Sequence, residues 1–179
     1  MWRLAIAVAG VLVLAGCGAA GVGRDVRGPA STTASPGTPV QAVAAALAFA
    51  AHSDPAVAVV DGYASLPLAV QRGEQPIDLA GGHANPCARP PGQRFTSSER
   101  AAIEAAFHGR RVSFVPDPAA ALREHEPGSL LLVATRPLLG DQRGTVMVIS
   151  CVPNPQQVLV TVQWDRQAWR AVATGTGTS

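Results

Sequence analysis

Two cysteines in the body of this sequence, Cys87 and Cys151, have the most chemistry to offer, and the first closes the run His83-Ala84-Asn85-Pro86-Cys87. Imidazole and thiolate are both zinc ligands, and a thiol beside an imidazole can become a nucleophile. The spacing favours neither. Zinc needs three or four donors within tetrahedral reach, and Pro86 keeps His83 and Cys87 off a helix on which an i, i+4 separation would converge them. A nucleophilic thiol needs its base oriented by a carboxylate, for which Asp78 is the nearby candidate. His52, His108 and His125 fall at the ends of predicted elements, where polar side chains meet water. Glu99 and Glu104 lie on the outer face of a predicted helix with nothing to act on, and no two carboxylates are spaced to flank a bond. Gly81-Gly82 has no strand before it and no helix directly after it, so it reads as a turn and not as a phosphate loop. The expectation is a chain with no catalytic residues, no metal and no cofactor.

The third cysteine has a different setting. Met1-Trp2-Arg3 gives a short positive start, and Leu4 to Leu14 is an uncharged apolar run of eleven residues. A bilayer-spanning helix needs about 20 apolar residues, so the run fits a removable export signal. Leu14-Ala15-Gly16-Cys17 follows, and these four residues resemble the lipobox of bacterial lipoproteins. The resemblance implies a signal peptide at 1–16, cleavage before Cys17, a diacylglyceryl group on the Cys17 thiol, and a chain held at the extracytoplasmic face of the cell membrane. Small side chains at Ala15 and Gly16 suit a narrow peptidase cleft, and cysteine supplies the nucleophilic thiol for alkylation.

Export changes the reading of the other two thiols. Outside the cytoplasm spare cysteines usually pair, and a Cys87–Cys151 disulfide would close a loop of about 64 residues, adding up to about 4 kcal/mol on chain-entropy grounds. Its use would be to pin the segment around Cys87 to a sheet edge. A buried free thiol at Cys151, beside Ile149 and Val152, is the alternative.

These residues need elements to position them. Residues 17–39, rich in Gly, Ala, Ser, Thr and Pro, cannot bury enough apolar surface to offset ordering and read as a flexible linker. Residues 40–174 form one domain, large enough for a core at 47% apolar composition, and 175–179 form a disordered tail. Val40 to Ala51 carries an apolar helical face, and Ala56 to Asp61 reads as a strand. Tyr63 to Arg94, with five prolines and four glycines, is a long loop and the first place to look for a site. Thr96-Ser97-Ser98-Glu99 is a capping box opening a second helix, which presents Ile103, Ala106 and Phe107 on one face up to about His108. Arg111 to Val115 alternates as a strand, and Pro118 to His125 suits a short helix.

Four strand-forming runs end the chain: Leu130 to Ala134, Thr145 to Ser150, Val158 to Trp164 and Ala168 to Ala173, joined by turn-rich segments. Val158, Val160, Val162 and Trp164 share one face. The expected fold is α+β, with two main helices on one face of a mostly antiparallel sheet of about five or six strands ending in a C-terminal meander, two layers in all. This order of elements is similar to that of small exported actinobacterial proteins with no assigned function.

All fourteen basic residues are arginine, and without Arg3 thirteen of them face twelve acidic residues scattered along the chain. No basic stripe forms, so nucleic acid is not an expected partner. The expected function is a non-catalytic, membrane-anchored domain that binds an envelope protein or a wall component. The alternatives are a carrier of a small apolar ligand between sheet and helices, and an enzyme built on Cys87 and His83.

Overall fold

The computed structural model describes residues 37–52, 54–77, 79, 85–124, 129–152 and 155–176. Cys17, Asp78, Gly81, Gly82, His83 and His125, together with most of the segment read as leader and linker, lie outside them.

Helix α1 (Pro39–Ala50) starts with proline at its first position, where a missing N–H costs nothing, and the Thr38 N–H donates to Gln41 Oε1 at 3.0 Å. Its composition is almost all alanine, valine and leucine, and Ala42, Val43, Ala44, Ala46 and Leu47 are all buried. A helix apolar around most of its circumference belongs inside, and small side chains let it lie close to its neighbours. Strand β1 (Ala56–Ala64) runs three residues beyond the expected end and passes through Gly62. At Gly62 φ is +151°, and the Gln93 carbonyl approaches so closely that a Cβ would collide with it. Glycine is required there.

Within the expected loop, a one-turn helix α2 (Leu68–Gln71) and a 3-10 turn at Pro86–Ala88 interrupt the irregular chain. Helix α3 (Ser97–Ala106) opens on the expected box: Thr96 Oγ1 accepts from the Glu99 N–H at 3.2 Å, and Glu99 Oε2 accepts from the Thr96 N–H at 2.8 Å. Strand β2 (Arg111–Val115) and helix α4 (Pro118–Arg123) follow, the latter capped by Asp117. The remaining strands are β3 (Leu130–Thr135), the two-residue β4 (Leu138–Leu139), β5 (Arg143–Val152), β6 (Gln156–Trp164) and β7 (Trp169–Thr176).

One sheet contains them all in the order β2-β1-β3-β5-β6-β7, with β4 paired to β5. The C-terminal strands form the expected antiparallel meander. The N-terminal three do not: β1 pairs parallel with both β2 and β3. Two crossovers make this possible, since β1 reaches β2 through α3, and β2 returns past β1 to β3 through α4. The sheet is therefore mixed, and the expectation of a mostly antiparallel sheet holds only for its second half.

The expected two layers are also corrected. Helices α1 and α3 do share one face, closing a core of Leu47, Ile103 and Phe107 against Val57, Leu132, Val146 and Val160. The opposite face is covered as well. Leu66, Val70, Ile77 and Cys87 of the segment after β1 pack on Val60, Leu131, Val133, Met147 and Ile149. The cause is visible in β3, where every residue from Leu130 to Thr135 is buried. A strand apolar at successive positions has no side fit for water, so the sheet needs a cover on both faces.

Candidate functional site

The segment between β1 and α3 is fastened like a strap across the sheet face opposite α1 and α3. Cys87 and Cys151 are joined by a disulfide with their Cα atoms 5.6 Å apart, and both are buried. The Ile77 N–H donates to Gln157 Oε1 on β6 at 3.0 Å, and the Asn85 side chain accepts from the Cys87 N–H while donating to the Leu79 carbonyl. Cys87 is consequently neither a free nucleophile nor a thiolate ligand. His83 and Asp78, its possible partners, lie outside the described residues. His52 and His108 are exposed at helix ends, as expected, and both adopt positive φ there. Among the described residues no three His, Cys, Asp or Glu side chains gather closely enough to hold a metal ion, and no helix is long and apolar enough to cross a membrane.

The strap leaves an open cleft beyond the carboxyl ends of β1 and β3. Its largest part, about 530 Å³, lies between the start of α1 (Thr38, Pro39, Val40) and Tyr63, Glu99 and Arg136. It continues past Gln93 and Gly92 toward Ser65, then over Pro86 and Arg89. Crevices outside the carboxyl ends of parallel strands are the usual ligand position in open α/β sheets, because the chain diverges there to opposite faces.

A chain of contacts orders this cleft. Asp61, buried on β1, accepts two hydrogen bonds from the Arg100 guanidinium on α3, at 2.9 and 2.6 Å. The bidentate pair ties α3 to the strand end. Two residues on, the Tyr63 hydroxyl donates to Glu99 Oε1 at 3.0 Å. The Glu99 carboxyl is held below its usual range, chiefly by the hydrogen bond from the Thr96 N–H, and further by the Thr96 and Tyr63 hydroxyls and the charge of Arg136. Burial pushes the Tyr63 phenol the other way, well above its normal value, and the Glu99 bond and charge add to that. Tyr63 is thus a fixed proton donor to Glu99 and not a source of phenolate. Its ring meets Phe95 edge-on at 4.9 Å and carries the Arg136 guanidinium 5.4 Å from its centre. Arg136 also donates to Gln93 Oε1, and the Gln93 carbonyl accepts from the Tyr63 N–H at 3.0 Å.

Sequence reasoning placed Glu99 on an outer helix face with nothing to act on. The structure instead makes it the hinge of this network, through the same capping box the sequence displays. Tyr63, Gln93 and Arg136 were missed as site residues because each sits in irregular chain or at a strand end with no motif around it. The available signal was positional: Tyr63 is the penultimate residue of one strand of the parallel trio, and Arg136 directly follows another.

No protein-family model, no curated protein and no solved structure matches this chain.

Proposed function

We propose that this chain is an exported lipoprotein, held at the extracytoplasmic face of the membrane through lipid on Cys17, whose domain binds a component of the cell envelope without transforming it. The observation that carries the binding reading is how the groups around the cleft are committed. Asp61 accepts both bonds of the Arg100 fork, Glu99 accepts from Thr96 and Tyr63, and Tyr63 donates to Glu99, so these side chains are spent on stiffening the cleft. A preorganised open cleft suits recognition. The address is supported by the resemblance of Leu14-Ala15-Gly16-Cys17 to a lipobox and by the disulfide, which persists in oxidising compartments.

The carrier reading finds less support, because Phe107, Leu47 and Ile103 fill the space between helices and sheet. The thiol-enzyme reading needs a free Cys87, which the disulfide occupies.

Two experiments test the proposal. Fractionation of cells producing Cys17→Ala should move the chain out of the membrane fraction; a variant still at the membrane overturns the anchor. For binding, the full chain is titrated with purified wall fragments and envelope extract, beside Gly92→Trp. Gly92 lines the cleft and a Cβ there meets open space, so tryptophan adds bulk at the cleft wall without a backbone collision. Retention by the wild type and loss in Gly92→Trp is the expected result, and equal retention by both overturns the cleft as the site.

A further inference from the structure

The arginines of this domain differ in how their donors are used. Arg100 spends its fork on Asp61, at 2.6 and 2.9 Å. Arg110 lies over the Phe107 ring at 4.8 Å and donates to the carbonyls of His52, Ala48 and Phe107, so it closes the end of α1. Arg170 pairs with Asp165 in the β6–β7 turn, and Arg72 with Glu74.

Arg136 is built differently. It stacks on Tyr63 as Arg110 stacks on Phe107, yet it gives a single hydrogen bond, to Gln93, and among the described residues no carboxylate lies within ion-pair distance of it. A guanidinium carries five N–H donors, and one stacked by its face presents them at its edge. The nearest acid in the network, Glu99, has its oxygens taken by the Thr96 amide, the Thr96 hydroxyl and the Tyr63 hydroxyl. Three elements therefore hold this guanidinium at the mouth of the cleft, outside ion-pair distance of any described carboxylate: β1 through the Tyr63 ring, α3 through the bond of Glu99 to Tyr63, and the strap through Gln93. Holding an exposed arginine this firmly removes the rotamer entropy a partner would otherwise have to freeze.

Resting on the binding reading above, we infer that Arg136 is the recognition residue of the cleft and that the ligand presents it an oxyanion, carboxylate or phosphate. The planar fork matches either group bidentately. Tyr63 and Gln93 are positioning residues, since they reach the ligand through Arg136.

The test uses the full chain in detergent, titrated by NMR with inorganic phosphate, with N-acetylalanine and with N-acetylalanine amide as the uncharged control. Millimolar binding of phosphate or of the free acid, shifting the signals of Tyr63, Gln93 and Arg136 and absent for the amide, is expected; which of the two binds more tightly identifies the source of the oxyanion. Arg136→Ala should weaken it by about tenfold or more, as expected for losing a charged hydrogen-bond donor. Arg136→Lys should fall between, keeping the charge and losing the fork. Tyr63→Phe keeps the ring but frees Glu99, and a smaller loss there marks positioning. The inference is overturned if neither anion binds, or if the amide binds as well as the acid. It is also overturned if wall fragments bind the wild type, are blocked by Gly92→Trp and bind Arg136→Ala unchanged; in that last outcome the binding cleft stands and its oxyanion chemistry falls. Anion binding that depends on Arg136, with no retention of envelope material, supports the oxyanion site and overturns the envelope-binding reading.

Discussion

On one face of the sheet, α1 and α3 lay continuous apolar surface over the strands and bury Leu47, Ile103 and Phe107 completely. On the other face, the segment between β1 and α3 offers one helical turn, a 3-10 turn and scattered apolar residues, of which Leu66 and Ile77 keep 8% and 9% of their surface. The helix side is closed by area, at roughly 1.5–3 kcal/mol for each large side chain fully buried. The strap side has less area to use and is closed by a covalent bond, a few side-chain hydrogen bonds and the strand side chains beneath it. Beyond Trp2 the chain has only seven aromatic residues. The domain concentrates its aromatic core at the helices and leaves the covalent fastening to the part that borders the cleft.

The comparison can be broken or sharpened by perturbing each side in turn. Phe107→Ala, on the helix side, should cost about 3–5 kcal/mol and lower the whole unfolding transition, read by urea denaturation. A loss below about 1 kcal/mol would mean that the helix core is not what holds the domain together. Replacing both Cys87 and Cys151 by alanine should cost about 2–4 kcal/mol, and should do so locally first. Hydrogen exchange at the Ile77 and Cys87 amides is expected to quicken while Ile103 stays protected. Equal quickening on both sides would erase the distinction between the faces.

The smallest effect lies where the two sides meet. Thr96→Ala removes the α3 cap and should cost about 1 kcal/mol. Glu99 gives the same junction a pH dependence. Its carboxyl is depressed from an ordinary 4.5, so its contribution is complete above about pH 4.5 and is lost as the pH falls through its folded value. The stability gap between wild type and Glu99→Gln should therefore be widest near neutrality and shrink in acid. A gap that widens in acid would show that Glu99 is not held as an anion.

The local pattern of the sequence carried much of this architecture. The Thr96–Glu99 box marked the start of α3, Arg111–Val115 was bounded correctly, and Val158, Val160, Val162 and Trp164 do share the helix-facing side of β6. The Cys87–Cys151 pairing followed from the exported reading of the leader. Pairing direction was the part that local pattern does not hold. The run Leu130-Leu131-Leu132-Val133-Ala134 says strand, and its unbroken apolarity says covered on both sides, but it does not say parallel. Strand, helix, strand, helix, strand from Ala56 to Thr135 was the larger pattern, and reading it as two crossovers would have pointed to residues just after the strand ends. Arg136 stands there, and Tyr63 is two residues past the end expected for the first strand. Gln93 would still have escaped, since it reaches the site through its carbonyl, bonded by the Tyr63 N–H beside Gly62, and through the bond from Arg136, none of which has a local pattern in the sequence.

Thr38, Pro39 and Val40, at the start of the described chain, form part of the cleft wall. Val40 packs at the same time against the helix-side core, and Trp169 Nε1 on β7 donates to the Gly37 carbonyl at 3.1 Å just before it. One wall of the cleft is therefore anchored in the helix-side core and the other in the strap, so a ligand spanning the mouth would couple the two faces of the sheet.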